Sequence, residues 1–251
     1  MILLNFNRSL LFLAFTFSMA QHCNSQQFIS ERPLIYKQKE LWFDQIVSVK
    51  NSSLINGPEY FMSFNGRHSH PFFGSLELSA SQVWYDQQLY ENINLLYDIY
   101  TDKLILRNRD RNGFFVMIEL DQSKVEKFDL HNHHFQKMNN PKPIQGHAEN
   151  GYYDILYTGK QITLVTKRDK AQQTEGSNIE YELDDHYYMV RGNQWELIRG
   201  LHDIIKLTPS NGKDIQAFAK SKKINVRKRN ENDLITLAKF CDATAGSSLS
   251  K

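Results

Sequence analysis

Between Ser81 and Leu130 apolar and polar residues alternate with a period of two, and turn-forming pairs interrupt the alternation at short intervals. A helix cannot use this pattern, because a 3.6-residue repeat would spread the apolar positions around its whole circumference. A strand uses it directly, with one face for a core and one for water. Val83-Trp84-Tyr85 and Gln88-Leu89-Tyr90 flank Asp86-Gln87, a tight hairpin turn. In Asn94–Tyr100, Leu95, Tyr97 and Ile99 alternate with Leu96, Asp98 and Tyr100. Thr101-Asp102 turns the chain into Leu104-Ile105-Leu106, and Asn112-Gly113 turns it into Phe114–Leu120. There Phe114, Val116, Ile118 and Leu120 share a face, and Asp121–Lys124 leads on to Val125–Leu130. Such a succession of short strands and turns is an antiparallel meander.

The same pattern extends in both directions. Trp42–Val49 and Glu59–Phe64 read as earlier strands, the second ended by Asn65-Gly66. Residues 139–150 carry Pro141, Pro143 and Gly146 and read as a flexible loop. Tyr152–Tyr157 and Gln161–Lys167 form a hairpin across Thr158-Gly159-Lys160. Residues 168–178 are polar and read as a longer loop, followed by strands at Ile179–Leu183, Tyr187–Arg191 and Gln194–Ile198. From about residue 201 the period changes to that of helices. Leu201, Ile204, Ile205 and Leu207 precede Pro209, and Ser210 or Asn211 can open a helix to about Lys222. Asn230 followed by Asp233 caps a last helix to about Asp242. The predicted fold class is mainly β: an antiparallel meander forming a barrel-like or sandwich domain, with a C-terminal helical pair. A single domain over residues 41–242, a loosely held lead-in over 21–40 and a frayed tail over 243–251 account for the 251 residues.

Residues 1–20 stand apart. Arg8 precedes the apolar run Leu10–Phe15, and Ser18-Met19-Ala20 places small residues at the −3 and −1 positions before Gln21. The expectation is a cleaved secretory signal peptide. The run is shorter than the roughly 20 apolar residues a spanning helix needs, so the mature chain is expected not to be transmembrane. Of the two cysteines, Cys23 follows a poor lipobox and could pair with Cys241 in an oxidising compartment. Cys241 also completes the stripe Leu234, Leu237, Ala238, Cys241 at i, i+3, i+4 and i+7, where a free thiol packs as a small hydrophobe.

The ordered segments His70-Pro71-Phe72-Phe73, Val83-Trp84-Tyr85-Asp86, Tyr90–Asp102 and Gly151–Tyr157, ending in lysine-rich helices, resemble a group of exported hypothetical proteins of the Bacteroidota. The resemblance covers residues 57–242. It implies a single domain in the cell envelope, whether periplasmic, attached to the outer membrane or extracellular. It implies no activity and no catalytic residues.

No motif assigns chemistry. His131, His133, His134 and His147, and the pair His68/His70, offer imidazoles to a zinc or copper ion, but no Cys or H-E-x-x-H partner supports them. They read as solvated turn histidines, and no metal site is expected. Asp98/Asp102 and Asp184-Asp185 could form an acid–base pair, yet they sit where turns belong. There is no G-x-S-x-G elbow and no glycine-rich phosphate loop, so no catalytic or cofactor-binding residue and no cofactor is expected. The net charge of +2 speaks against nucleic acid as a partner. Its one asymmetry is Lys213, Lys220, Lys222, Lys223, Arg227, Lys228 and Arg229, a basic segment suited to an envelope protein, anionic lipid or lipopolysaccharide, or a solvated face. Trp84, Tyr85, Tyr90, Tyr97 and Tyr100 crowd one meander, as core or as a sugar-stacking face. Three readings follow: a non-enzymatic binding or assembly component, a carrier or sensor of an apolar or glycan ligand on a β sheet, and a carboxylate-based hydrolase.

Overall fold

At the Asp86-Gln87 turn both residues take positive φ, 53° and 64°. That is the primed turn geometry whose twist matches a right-handed hairpin. It joins β1 (Ala80–Tyr85) to β2 (Gln88–Asp98) with Tyr85 opposite Gln88. His131-Asn132 repeats the device, with φ of 51° and 64°, between β5 (Val125–Leu130) and β6 (His133–Asn139). The computed structural model describes residues 53–62, 69–77, 79–109, 112, 114–175 and 178–247, all within the unit Val49–Lys251. The signal-peptide expectation, the lead-in, Cys23, His68 and the strand expected at Trp42–Val49 lie outside the described residues.

The remaining strands are β3 (Lys103–Arg109), β4 (Phe115–Glu119), β7 (Asn150–Thr158), β8 (Thr163–Lys167), β9 (Lys170–Glu175), β10 (Asn178–Leu183), β11 (His186–Arg191) and β12 (Gln194–Leu197). Ten of the twelve form one antiparallel sheet in the order β12-β11-β8-β7-β6-β5-β1-β2-β3-β4. β9 and β10 form a separate hairpin. The expected mainly β antiparallel meander is present, and its sheet has two edges, β12 and β4, so it is not a closed barrel. It is nonetheless strongly curled. β2 and β7 are four strands apart, about 19 Å in a flat sheet at the usual strand spacing. Yet the Tyr97 and Tyr152 rings have centroids 5.9 Å apart. Register shifts at Ser81/Val83, Trp84/Tyr85 and Ile155/Tyr157 supply the bends.

The concave face buries two apolar clusters. Val83, Tyr85, Leu95, Tyr97, Leu104, Leu106, Phe128, Leu130, Phe135 and Tyr152 fill the half under β1–β7. Burying each such side chain contributes about 1.5–3 kcal/mol. Ile162, Leu164, Tyr187 and Met189 face the helices α1 (Leu201–Leu207), α2 (Gly212–Ser221) and α3 (Glu231–Ser247). The expected helical pair is thus three helices. α3 runs past Asp242, because Ala245 is buried and extends the Leu234–Cys241 stripe. Asn230 caps its start by accepting from Asp233 N at 3.1 Å. A long-range lock holds this helix to the sheet. Asp242 accepts from the backbone N–H groups of Lys160, Gln161 and Ile162 at 3.0, 2.7 and 2.8 Å. Gly159 makes that possible, since a Cβ there would collide with the carboxylate.

Two strands depart from expectation. β6 and β9 read as turn and loop in sequence because their outward residues are polar, and β9 (KAQQTE) lies in a two-stranded hairpin without a core face of its own. The 139–150 segment is held rather than free. Asn140 is buried, its side chain donates to Tyr153 Oη at 3.2 Å and its own N–H donates to the Glu149 carbonyl at 2.7 Å, and Ile144 packs against the cluster that holds Tyr153, Tyr188 and Trp195. Of the strand expected at Glu59–Phe64, Glu59 bridges to Ile118 on the β4 edge, and Ser63 and Phe64 lie outside the described residues.

Candidate functional site

Three polar constellations stand out on this framework. The first is a buried seam between the two concave clusters. Arg168 follows β8 and is nearly covered, with 6% of its side chain exposed. Its Nε and Nη2 both donate to Asp154 Oδ2, at 2.9 and 2.5 Å. Its Nη1 donates to Asp185 Oδ2 and Glu231 Oε1, each at 2.6 Å. Burial works against the guanidinium charge, but Glu231, Asp154 and Asp185 outweigh it and raise its pKa. His133 Nδ1 lies 2.7 Å from Asp154, and Phe73 packs edge-on against the His133 ring. Every polar atom of the guanidinium has a protein partner. The seam ties β6, β7, β8, β11 and α3 together.

The second constellation lies on the opposite, outward face. Strand alternation sends Val83, Tyr85, Phe128, Leu130 and Phe135 inward, and therefore Gln82, Trp84, Lys127, Asp129, His134 and Gln136 outward. Register aligns them in rows: Gln82 beside Asp129 beside His134, and Trp84 beside Lys127 beside Gln136. Gln82 Nε2 donates to Asp129, and His134 Nδ1 lies 2.6 Å from the other Asp129 oxygen. These six side chains, with Ile155, line an open groove of about 280 Å³. A second groove of about 430 Å³ continues from it past Ser81, Glu91, Asn92, His131 and Asn132. Lys127 Nζ rests 5.0 Å from the centre of the Trp84 ring. The row is a flat indole beside a fixed set of amide, carboxylate and imidazole groups.

The third is at the corner where the 139–150 segment meets the β8–β9 and β10–β11 connections. His147, Asp169 and His186 bring one donor atom each to within 4.8 Å of one another. His147 Nε2 lies 3.0 Å from Asp169 Oδ2, and His186 Nε2 lies 3.8 Å from the same oxygen and 3.5 Å from Asp184 Oδ2. Burial would push the Asp169 carboxyl up, but the adjacent imidazoles and the Lys170 N–H hold it well below the usual carboxylate range.

The residues singled out from sequence are only partly gathered by these sites. His131, His133 and His134 alternate between faces and do not join His147. His133 serves the seam and His134 the outer groove. His70 lies next to the bridge between Phe72 and Asp98 at the end of β2, its ring beside Phe72 and its carbonyl accepting from Lys170 Nζ at 2.6 Å. Asp98 accepts from Tyr60 Oη, from Thr101 Oγ1 and from the N–H groups of Tyr100 and Thr101, the task of a turn residue. Asp102 pairs with Lys167 at 2.6 Å and accepts from Tyr97 Oη at 2.5 Å. Gly151 leaves room for that pair, since a Cβ there would lie 2.8 Å from Asp102 and 2.9 Å from Lys167. Asp185 belongs to the Arg168 seam, while Asp184 is half-exposed beside His186. Each of the four acids thus has partners of its own. Cys241 is buried and unpaired, and burial pushes its thiol up to about 12. Lys213, Lys220, Lys222, Lys223, Arg227, Lys228 and Arg229 are all exposed, and among the described residues only Arg229 forms an ion pair with an acid, at 4.0 Å from Asp184. Sequence reasoning missed Arg168, Asp169 and His186. The run Asp184-Asp185-His186 was the available signal, but its partners lie some 16 to 39 positions upstream. No helix among the described residues is long and apolar enough to cross a membrane.

No protein-family model, curated protein or solved structure matches the chain. The geometry alone carries the functional reading.

Proposed function

We propose that this is an exported, non-enzymatic binding protein that holds a saccharide on the outward face of its sheet. The observation that carries the reading is the Trp84 row. An indole presents a flat apolar surface to the C–H face of a pyranose ring. Gln82, Asp129, His134 and Gln136, fixed by strand register on either side, supply donors and acceptors for sugar hydroxyls. The grooves are open and continuous along the face, which suits a chain of sugar units better than an enclosed small molecule. The concave face is filled by side chains, which favours surface binding over carriage of an apolar ligand within the sheet. Export is supported by the pattern of residues 1–20.

The test is a glycan array followed by calorimetric titration of the best gluco-configured oligosaccharide. Trp84→Ala should weaken binding about tenfold or more, since an aromatic stacking contact contributes on the order of 1 kcal/mol beyond its area. An array without a saturable ligand, or a ligand bound equally by Trp84→Ala, overturns the reading.

A second reading rests on the basic segment of α2 and the turn after it. Its exposed lysines and arginines have little acidic company, so the protein would adhere to an anionic envelope surface such as phospholipid or lipopolysaccharide phosphate. Sedimentation with phosphatidylglycerol vesicles at low salt, lost on changing Lys220, Lys222, Lys223, Arg227 and Lys228 to Glu, supports it. Sedimentation equal to that with neutral vesicles removes it.

A further inference from the structure

We propose that His147, Asp169 and His186 form a binding site for a divalent transition-metal ion of the zinc type, with Asp184 as the fourth ligand. The site is separate from the saccharide groove and rests on different residues.

The donor set is two imidazoles and one carboxylate, a combination used by zinc and other late first-row ions and poorly suited to calcium or magnesium. Around a tetrahedral zinc with bonds of roughly 2.0–2.1 Å, donor atoms stand about 3.3 Å apart. The His147–Asp169 and His186–Asp169 separations, 3.0 and 3.8 Å, lie on either side of that value. Asp184 Oδ2, 3.5 Å from His186 Nε2, is at the same spacing and exposed enough to swing.

An independent observation also points to a ligand. His186 Nε2 is buried and has no hydrogen-bond partner among the described residues, although it faces two carboxylates. A buried imidazole nitrogen without a partner is destabilising, and a metal ion between it and those oxygens removes the deficit. Asp169 is oriented by a hydrogen bond between its Oδ1 and Lys170 N at 2.7 Å, which leaves Oδ2 directed at both imidazoles. The three contributing segments are held from behind. His186 opens β11, paired with Lys167 of β8, and Asp184 N donates to Asp169 O at 3.0 Å across the base of the β9–β10 hairpin. His147 N donates to Ile144 O at 3.1 Å, and Ile144 is packed on the sheet. A bound ion would therefore clamp the 139–150 segment onto the corner of the sheet.

The chain stripped with a chelator is titrated with Co²⁺, read by its visible absorption, and with Zn²⁺ by calorimetry and thermal melting. One equivalent of Zn²⁺ per chain, a Co²⁺ spectrum of four-coordinate intensity and a rise in Tm are expected. His147→Ala should weaken binding at least tenfold and abolish the Tm rise, and His186→Ala should do the same. His202→Ala, on an exposed side chain of α1, should change nothing. Should His186→Ala fail to fold, His147→Ala, whose side chain lies on a connecting segment, decides alone. Absence of saturable binding by the unaltered chain overturns the proposal, and so does a stoichiometric site that survives His147→Ala. Neither result touches the saccharide reading, whose test uses Trp84.

Discussion

Replacing Arg168 with Met should destabilise the fold by about 3–5 kcal/mol, the usual cost of leaving a buried ionic partner without its counter-charge. The penalty is localised by the exposure of the three acids. Asp154 has 1% of its side chain exposed, whereas Asp185 and Glu231 retain 17% and 34%. Once the guanidinium is gone, water can resolvate Asp185 and Glu231, whose pairs then resemble surface ion pairs of about 0–1 kcal/mol. Asp154 has no such recourse and is left facing only His133 at 2.7 Å. Met keeps most of the aliphatic volume, so cavity formation adds little. Against a total stability of about 5–15 kcal/mol, the variant should unfold at much lower urea concentration with an unchanged m-value. The double variant Arg168→Met/Asp154→Leu removes both buried charges and should recover to within about 2 kcal/mol of the unaltered chain. Equilibrium urea unfolding by tryptophan fluorescence and far-UV circular dichroism reads both effects. A single variant that loses less than about 1 kcal/mol, or a double variant no better than the single, would refute the assignment of the seam's energy to the Arg168–Asp154 pair.

Asp242→Ala should cost about 2–4 kcal/mol, because three backbone N–H groups and Tyr157 Oη lose a charged acceptor at once. Burial pushes the Asp242 carboxyl up, but those N–H groups and Tyr157 outweigh it and hold the pKa below the ordinary 3.8. A depressed carboxyl contributes stability that is fully present above its unfolded value and is lost as pH falls through the folded one. The difference in unfolding free energy between the unaltered chain and Asp242→Asn should therefore be flat above about pH 5 and shrink as pH falls below 4; a pH-independent difference would show that charge has no part in the lock. Cys241, buried and with its thiol pushed up to about 12, should react with a thiol reagent only at the rate of unfolding. Rapid labelling of Cys241 in a Cys23→Ser chain would contradict its placement on the buried face of α3.

The two kinds of missed strand show where sequence reasoning stops. β1 was legible because it buries one face, so its buried residues fall at every second position, whereas β2 and β3 were legible as apolar runs bounded by turn residues, Leu95–Tyr97 and Leu104–Leu106 being buried on both faces. In β6 the inward residues are His133, Phe135 and Lys137, of which only Phe135 is apolar, because His133 is used by the seam. In β9 no residue is large and apolar, so neither period is visible. Residues 140–149 form the expected loop, but its anchoring was not legible, for a related reason. Pro and Gly content reports what a segment cannot be, while the packing of Ile144 and the burial of Asn140 depend on residues around 190.

The candidate sites follow the same division. Alternation and turn dipeptides, local features within reach of a few residues, determined by themselves that the chain is an antiparallel meander with a helical end, whereas the outward placement of Trp84 came from the structure. They determined equally that Cys241 sits on a buried helical stripe. The sheet's open edges, its curl and the third helix were decided by tertiary packing, since bulges and long-range rings such as Tyr97 on Tyr152 set curvature. Only the tertiary structure assembled Arg168 with Asp154, Asp185 and Glu231, or His147 with Asp169 and His186. A charged or imidazole side chain carries no period of its own. What it does depends on which distant strand end or loop the folded sheet brings within 3–4 Å of it, and that is a property of strand order and curl rather than of neighbouring residues.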